Sequence, residues 1–158
     1  MAALTVLLTH LKFAVKKALG RGLFKKNMKK IDANVVLRYV LNDDHELSSK
    51  AKEIIDQNIV EVPIEVLCEV VYVLAGYYGI DRKSISLELQ RFFEQTKCTL
   101  FHREAILRGL EYFGQKSLDF VDCILAGYAE AEKDEIYTFD DKLKKRAYPI
   151  FCVNDRIS

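Results

Sequence analysis

Four carboxylates occupy positions where a folded chain must either neutralise them or use them. Glu69 is the sole charge between Val66 and Ile80, in the run Val66-Leu-Cys-Glu-Val-Val-Tyr-Val-Leu-Ala-Gly. Asp122 has the same surroundings in Leu118-Asp-Phe-Val-Asp-Cys-Ile-Leu-Ala. A helix apolar on nearly all sides is buried, and a lone buried carboxylate costs several kcal/mol unless it is paired or bound to a cation. Asp32 and Asp140 each follow a strand-like segment. If the four converge, their repulsion must be offset by cations, and carboxylates with water are the ligands of Mg²⁺ or Mn²⁺. The plainer alternative satisfies each acid separately, through a cap, a backbone amide or a salt bridge. The placement of all four favours the metal cluster. Asp119, three residues before Asp122, shares its helix face and is either a reserve ligand or a helix N-cap. Ala126 and Ala129 continue that face with side chains small enough to leave room beside Asp122.

The elements that must position these acids follow from hydropathic period. Strands are expected at Lys29 to Asp32, Ile59 to Val62 (stopped by Pro63), Cys98 to Phe101, Glu135 to Phe139 and Ile150 to Val153. Helices are expected at Val35 to Leu41, Leu47 to Asn58, Ile64 to Tyr78, from Asp81 through Phe93, Glu104 to Phe113, Asp119 to Ala131 and Lys142 to Arg146. Five short strands alternating with helices, with no tight hairpin between them, argue for an α/β fold with a mostly parallel sheet covered on both faces. Ligands in such folds lie beyond the carboxyl ends of the strands, which is where Asp32 and Asp140 fall.

Charge is unevenly spread. The chain of 158 residues holds 24 Lys and Arg against 23 Asp and Glu, a net of +1. Six of the basic residues and none of the acids lie in residues 1–27, so residues 28–158 carry a net of −5. A basic N-terminal extension of 1–27 is thus joined to an acidic domain of 28–158. The extension is equally well explained by an upstream start and by a functional arm, and its apolar stretch precedes most of its charge, unlike a secretory signal. No apolar run reaches the roughly 18 residues that a membrane span needs.

The ordered motifs are the basis of a family resemblance. Ile31-Asp32-Ala33-Asn34, Val62-Pro63 followed by Glu69-Val-Val-Tyr-Val-Leu, Asp119-Phe-Val-Asp122-Cys-Ile-Leu-Ala126 and Tyr137-Thr138-Phe139-Asp140 occur in order between Met28 and Val153. That stretch resembles PIN-domain nucleases, most closely the VapC-type ribonuclease toxins of bacterial and archaeal toxin–antitoxin pairs. The resemblance implies a PIN-like three-layer α/β/α sandwich with a central, mostly parallel five-stranded sheet. It implies a catalytic, metal-binding site of Asp32, Glu69, Asp122 and Asp140, with one or two Mg²⁺ or Mn²⁺ ions and with Asn34 and Thr138 orienting the ligands. Asp119 is the reserve for Asp122. Asp141, beside Asp140, departs from the family pattern and is a second reserve.

The implied activity is an endoribonuclease that leaves 5′-phosphate ends, with a cognate antitoxin, a homodimeric state and a cytoplasmic location. Lys142, Lys144, Lys145 and Arg146 close behind Asp140, and Lys116 before Asp119, are candidates for holding RNA phosphates. A solvated helix face explains them equally well. Two alternatives are a PIN-like interaction module without turnover and a housekeeping RNA-processing nuclease.

Other chemistries lack their residues. No phosphate-cradling glycine loop and no G-x-S-x-G elbow occurs, and His10, His45 and His102 have no nucleophile partner in the sequence. Cys68, Cys98, Cys123 and Cys152 form no C-x-x-C pair and have no His at zinc spacing, so they read as reduced core thiols. Tyr72, Tyr77 and Tyr78 are expected in a core or an interface.

Overall fold

The computed structural model describes residues 28–147. The extension 1–27 and the expected strand Ile150 to Val153 lie outside the described residues, as do the side chains of Lys145 and Arg146.

The chain begins with β1 (Lys29–Lys30), then α1 (Ala33–Leu41), α2 (His45–Gln57), β2 (Val60–Glu61), α3 (Ile64–Gly76) and α4 (Arg82–Gln95). It continues through α5 (Arg103–Gln115), α6 (Phe120–Ala131) and α7 (Asp141–Ala147). β1 and β2 run parallel, with Lys29 opposite Val60 and Lys30 opposite Glu61. A third segment joins through a parallel bridge between Glu61 and Thr99. The Thr99 amide donates to the Val60 carbonyl at 2.7 Å, and the Val62 amide to the Thr99 carbonyl at 3.0 Å. β2 therefore lies between β1 and Thr99, and each parallel crossover is spanned by two helices, as parallel pairing requires.

The sheet is smaller than expected. Two strands and one bridge form among the described residues, within which four of the expected five strands fall. Glu135 to Phe139 forms no ladder with any described residue, with Phe139 fully exposed and Tyr137 61% exposed. Its alternating pattern satisfies a strand's period, but a ladder also needs a neighbouring edge, and none pairs with it among the described residues.

Helix starts follow the side-chain chemistry of their caps. Asp32, Asp44 and Asp81 accept from the amides of Val35, Leu47 and Ser84, three residues on, at 3.0, 2.8 and 3.0 Å. Pro63 lacks the amide needed to extend β2 and starts α3 instead. Asn42 ends α1 in the left-handed conformation at φ 51°, a role Asn tolerates. The core gathers Val36, Ile55, Leu67, Leu89, Phe93, Ile106 and Phe120 from six helices around Val60.

The α5–α6 hairpin packs backbone to backbone. A Cβ on Gly127 would run into the Ala105 carbonyl, and one on Gly109 would meet the Ile124 Cδ1 at 2.6 Å. Glycine at these two positions lets the helices approach. Among the described residues, no helix is long and apolar enough to cross a membrane.

Candidate metal centre

Asp32, Asp122 and Asp140 sit at or beside a helix start, and Glu69 lies in the second turn of α3. Asp32 follows β1 and caps α1, its Oδ1 accepting from the Val35 amide at 3.0 Å. Asn34 is exposed in the first turn of the same helix. Both line one end of a cleft of about 430 Å³ between α1 and α2, whose walls include Arg38, Leu47, Lys50 and Ile54.

Glu69 is exposed, contrary to the burial expected from its apolar neighbours. The reason lies in the helical period. Leu67, Val70, Val71 and Leu74 turn inward, while Glu65, Glu69, Tyr72 and Gly76 form one open stripe along α3. A helix that looks apolar all round carries a narrow polar face.

Asp122 lies in the first turn of α6 and is partly buried. Burial first, and then the like charges of Asp140 and Asp119, hold its carboxyl above the ordinary aspartate range. Asp140 and Asp119 therefore both bear on Asp122. Asp119 caps α6, and its Oδ1 accepts from the Val121 amide at 3.0 Å and from the Tyr72 hydroxyl at 2.9 Å. Its carbonyl accepts from the Cys123 amide at 3.0 Å. The N-cap reading of Asp119 is the one the geometry bears out.

Asp140 precedes α7, and its Oδ1 accepts from the amides of Lys142 and Leu143 at 2.6 and 3.3 Å. Its own amide donates to the Thr138 hydroxyl at 3.0 Å, so Thr138 holds the Asp140 backbone. Asp141 is exposed in the first turn of α7. Lys142 is exposed and Lys144 half-buried on that helix. The Lys116 ammonium lies 4.6 Å from the centroid of the Tyr112 ring.

These placements bring Asp122, Asp140 and Asp119 into one electrostatic neighbourhood and tie it through Tyr72 to the helix that carries Glu69. Among the described residues, no three His, Cys, Asp or Glu side chains stand close enough to enclose an ion as they are placed. The donor set is nevertheless suited to one. It consists of oxygen alone, with no His or Cys, which selects a hard divalent cation over zinc. Among the described thiols, burial pushes Cys123 up to about 12, and Cys68 and Cys98 are raised for the same reason, which disfavours the thiolate form.

Two residues that position the site were not assigned that role from the sequence. Tyr72 was expected in a core or interface, yet it bonds Asp119, with the signal being its place one turn beyond Glu69. Arg82, at the start of α4, donates to the carbonyls of Phe113 and Lys116 at 3.0 and 2.9 Å and to that of Leu118. Its guanidinium also lies 3.9 Å from the Phe113 ring centroid. Arg82 thus clamps the turn that leads into Asp119, and no local pattern announces a partner more than thirty residues away.

Residues 30–148 match the PIN domain family. Among curated proteins and among solved structures, nothing matches the chain. PIN domains have an α/β fold, are generally metal-dependent nucleases that bind divalent ions such as Mg²⁺ or Mn²⁺, and act on RNA.

Proposed function

Since this chain belongs to the PIN domain family, we propose that it is a divalent-metal-dependent endoribonuclease of the VapC toxin type, with Asp32, Glu69, Asp122 and Asp140 as its ion-holding carboxylates. The observation that carries the proposal is the state of Asp122. Two acids from outside its own turn or at its edge, Asp140 and Asp119, press like charge on a half-buried carboxyl. Such an arrangement is unfavourable in itself and is relieved by a cation.

When bound, the ion supplies a lowered pKa for water and charge neutralisation at the phosphate and the leaving 3′ oxygen. The chain's own residues supply position. The N-terminal turn of α1 fixes Asp32, the first amides of α7 fix the Asp140 side chain, and Thr138 anchors the Asp140 backbone. Asn34 lines the α1–α2 cleft together with Asp32, which supports a role for it in orienting an ion ligand. Lys142 and Lys144 follow Asp140 and can pair with phosphates flanking the scissile bond. Lys116, engaged with Tyr112, has less freedom to do so.

A homodimer, a cognate antitoxin and a cytoplasmic location complete the reading. The partner surfaces in that reading are supported by the aromatic patch at the end of α3, where Tyr72 is 49% and Tyr77 83% exposed. Exposed tyrosines offer a partner large contact area at low entropic cost.

The test is incubation of the purified chain with single-stranded RNA. Cleavage is expected with Mg²⁺ or Mn²⁺ and abolished by EDTA, and expression of the chain is expected to arrest growth. Asp122→Asn should abolish cleavage and relieve the arrest. Cleavage without growth arrest points to a housekeeping nuclease, and no cleavage under any divalent ion to an interaction module.

A further inference from the structure

α3 carries Glu69 and α6 carries Asp122, so the separation of two proposed ion ligands depends on how these helices are held. The side-chain bond that joins them is short and well formed: the Tyr72 hydroxyl donates to Asp119 Oδ1 at 2.9 Å. Tyr72 lies one turn beyond Glu69 on the open stripe of α3, and Asp119 lies one turn before Asp122. Asp119 is rigid on its own side, because the Val121 amide bonds the same oxygen and the Cys123 amide bonds its carbonyl. From the other direction, Arg82 grips the carbonyls of Phe113, Lys116 and Leu118 just upstream. The start of α6 is thus held at two points, one from α4 and one from α3. The α3 contact is the one that also bears on a second acid.

We infer that Tyr72 is a positioning residue of the ion site, its hydroxyl setting the register between the Glu69 helix and the Asp122 helix through Asp119. This rests on the metal-site reading proposed above and assigns Asp119 to the scaffold, leaving Asp122 as the ligand from α6. Partners that orient metal ligands from outside the coordination sphere change ion affinity by about 10–100-fold when removed. Tyr72 is 49% exposed, so loss of its hydroxyl leaves the core as it is.

The test is a calorimetric titration of the ion-free full chain with Mn²⁺, alongside its thermal unfolding. Tyr72→Phe is expected to weaken Mn²⁺ binding by about 10-fold or more while its ion-free melting temperature stays close to that of the parent. Asp119→Asn keeps an oxygen that accepts from both Tyr72 and Val121, and should bind Mn²⁺ more tightly than Tyr72→Phe. Asp119→Ala should behave like Tyr72→Phe or worse. Unchanged Mn²⁺ affinity in Tyr72→Phe overturns this inference alone. Weaker binding in Asp119→Asn than in Tyr72→Phe overturns it too, by making Asp119 a ligand. A parent chain that binds no Mn²⁺ overturns the metal-site reading itself.

Discussion

Asp122 concentrates the residue-scale physics of this chain, since burial, Asp140 and Asp119 all disfavour its charged form. Its folded-state pKa is raised, so between the unfolded and folded values the folded chain binds more protons, and ion-free stability falls as pH rises through that window. Above the window the penalty is constant; below it the carboxyl is neutral and the penalty vanishes. Asp122→Asn should therefore raise the ion-free melting temperature near neutral pH, and thermal scans should show the gain shrinking as pH drops through the ordinary aspartate range. A variant that melts lower than the parent at neutral pH would show that Asp122 is stabilising as an anion. At this scale the sequence was informative about identity and less so about environment. The acids were legible because Asp122 interrupts apolar sequence and because Asp32 and Asp140 follow strand-like segments. The burial of Glu69 was misread, because Glu65, Glu69 and Tyr72, four and three residues apart, form a stripe that shows only once the helix is wound.

Among elements, the helices follow their hydropathic period within a few residues, since each buries one face against a neighbour. The strands were less legible. Residues 29–30 and 60–61 pair in parallel, and Thr99 adds a bridge, yet Glu135 to Phe139 has the same alternating character and no ladder among the described residues. Alternation shows that a segment can present two faces; it does not supply the hydrogen-bonding edge. The α5–α6 hairpin was visible as two helices, while its close approach was not. Gly127→Ala would drive a methyl into the Ala105 backbone, where no side chain can move aside. Overpacking of this kind costs about 1–3 kcal/mol, more than the gain in helix propensity of about 1 kcal/mol. Chemical denaturation should show lower stability for Gly127→Ala, with the whole α6 start, and so Asp119 and Asp122, displaced. An unchanged midpoint would mean that the hairpin relaxes freely.

For the whole molecule, the near-neutral net charge of +1 hides a domain of −5 in residues 28–158. An acidic domain meets a polyanion poorly through bulk charge, so the proposed nuclease engages RNA through bound cations and a few lysines. That is the central claim, and it is tested most directly by the ends of the products from single-stranded RNA at saturating Mn²⁺. The parent chain and Asp32→Asn, Glu69→Gln, Asp122→Asn and Asp140→Asn would be compared. The account predicts EDTA-sensitive cleavage leaving 5′-phosphate and 3′-hydroxyl ends, with each substitution slowing it by about 100-fold or more, as expected when a stabiliser of transition-state charge is lost. Cleavage that persists in EDTA, leaves 2′,3′-cyclic phosphates, or survives in all four variants would contradict it.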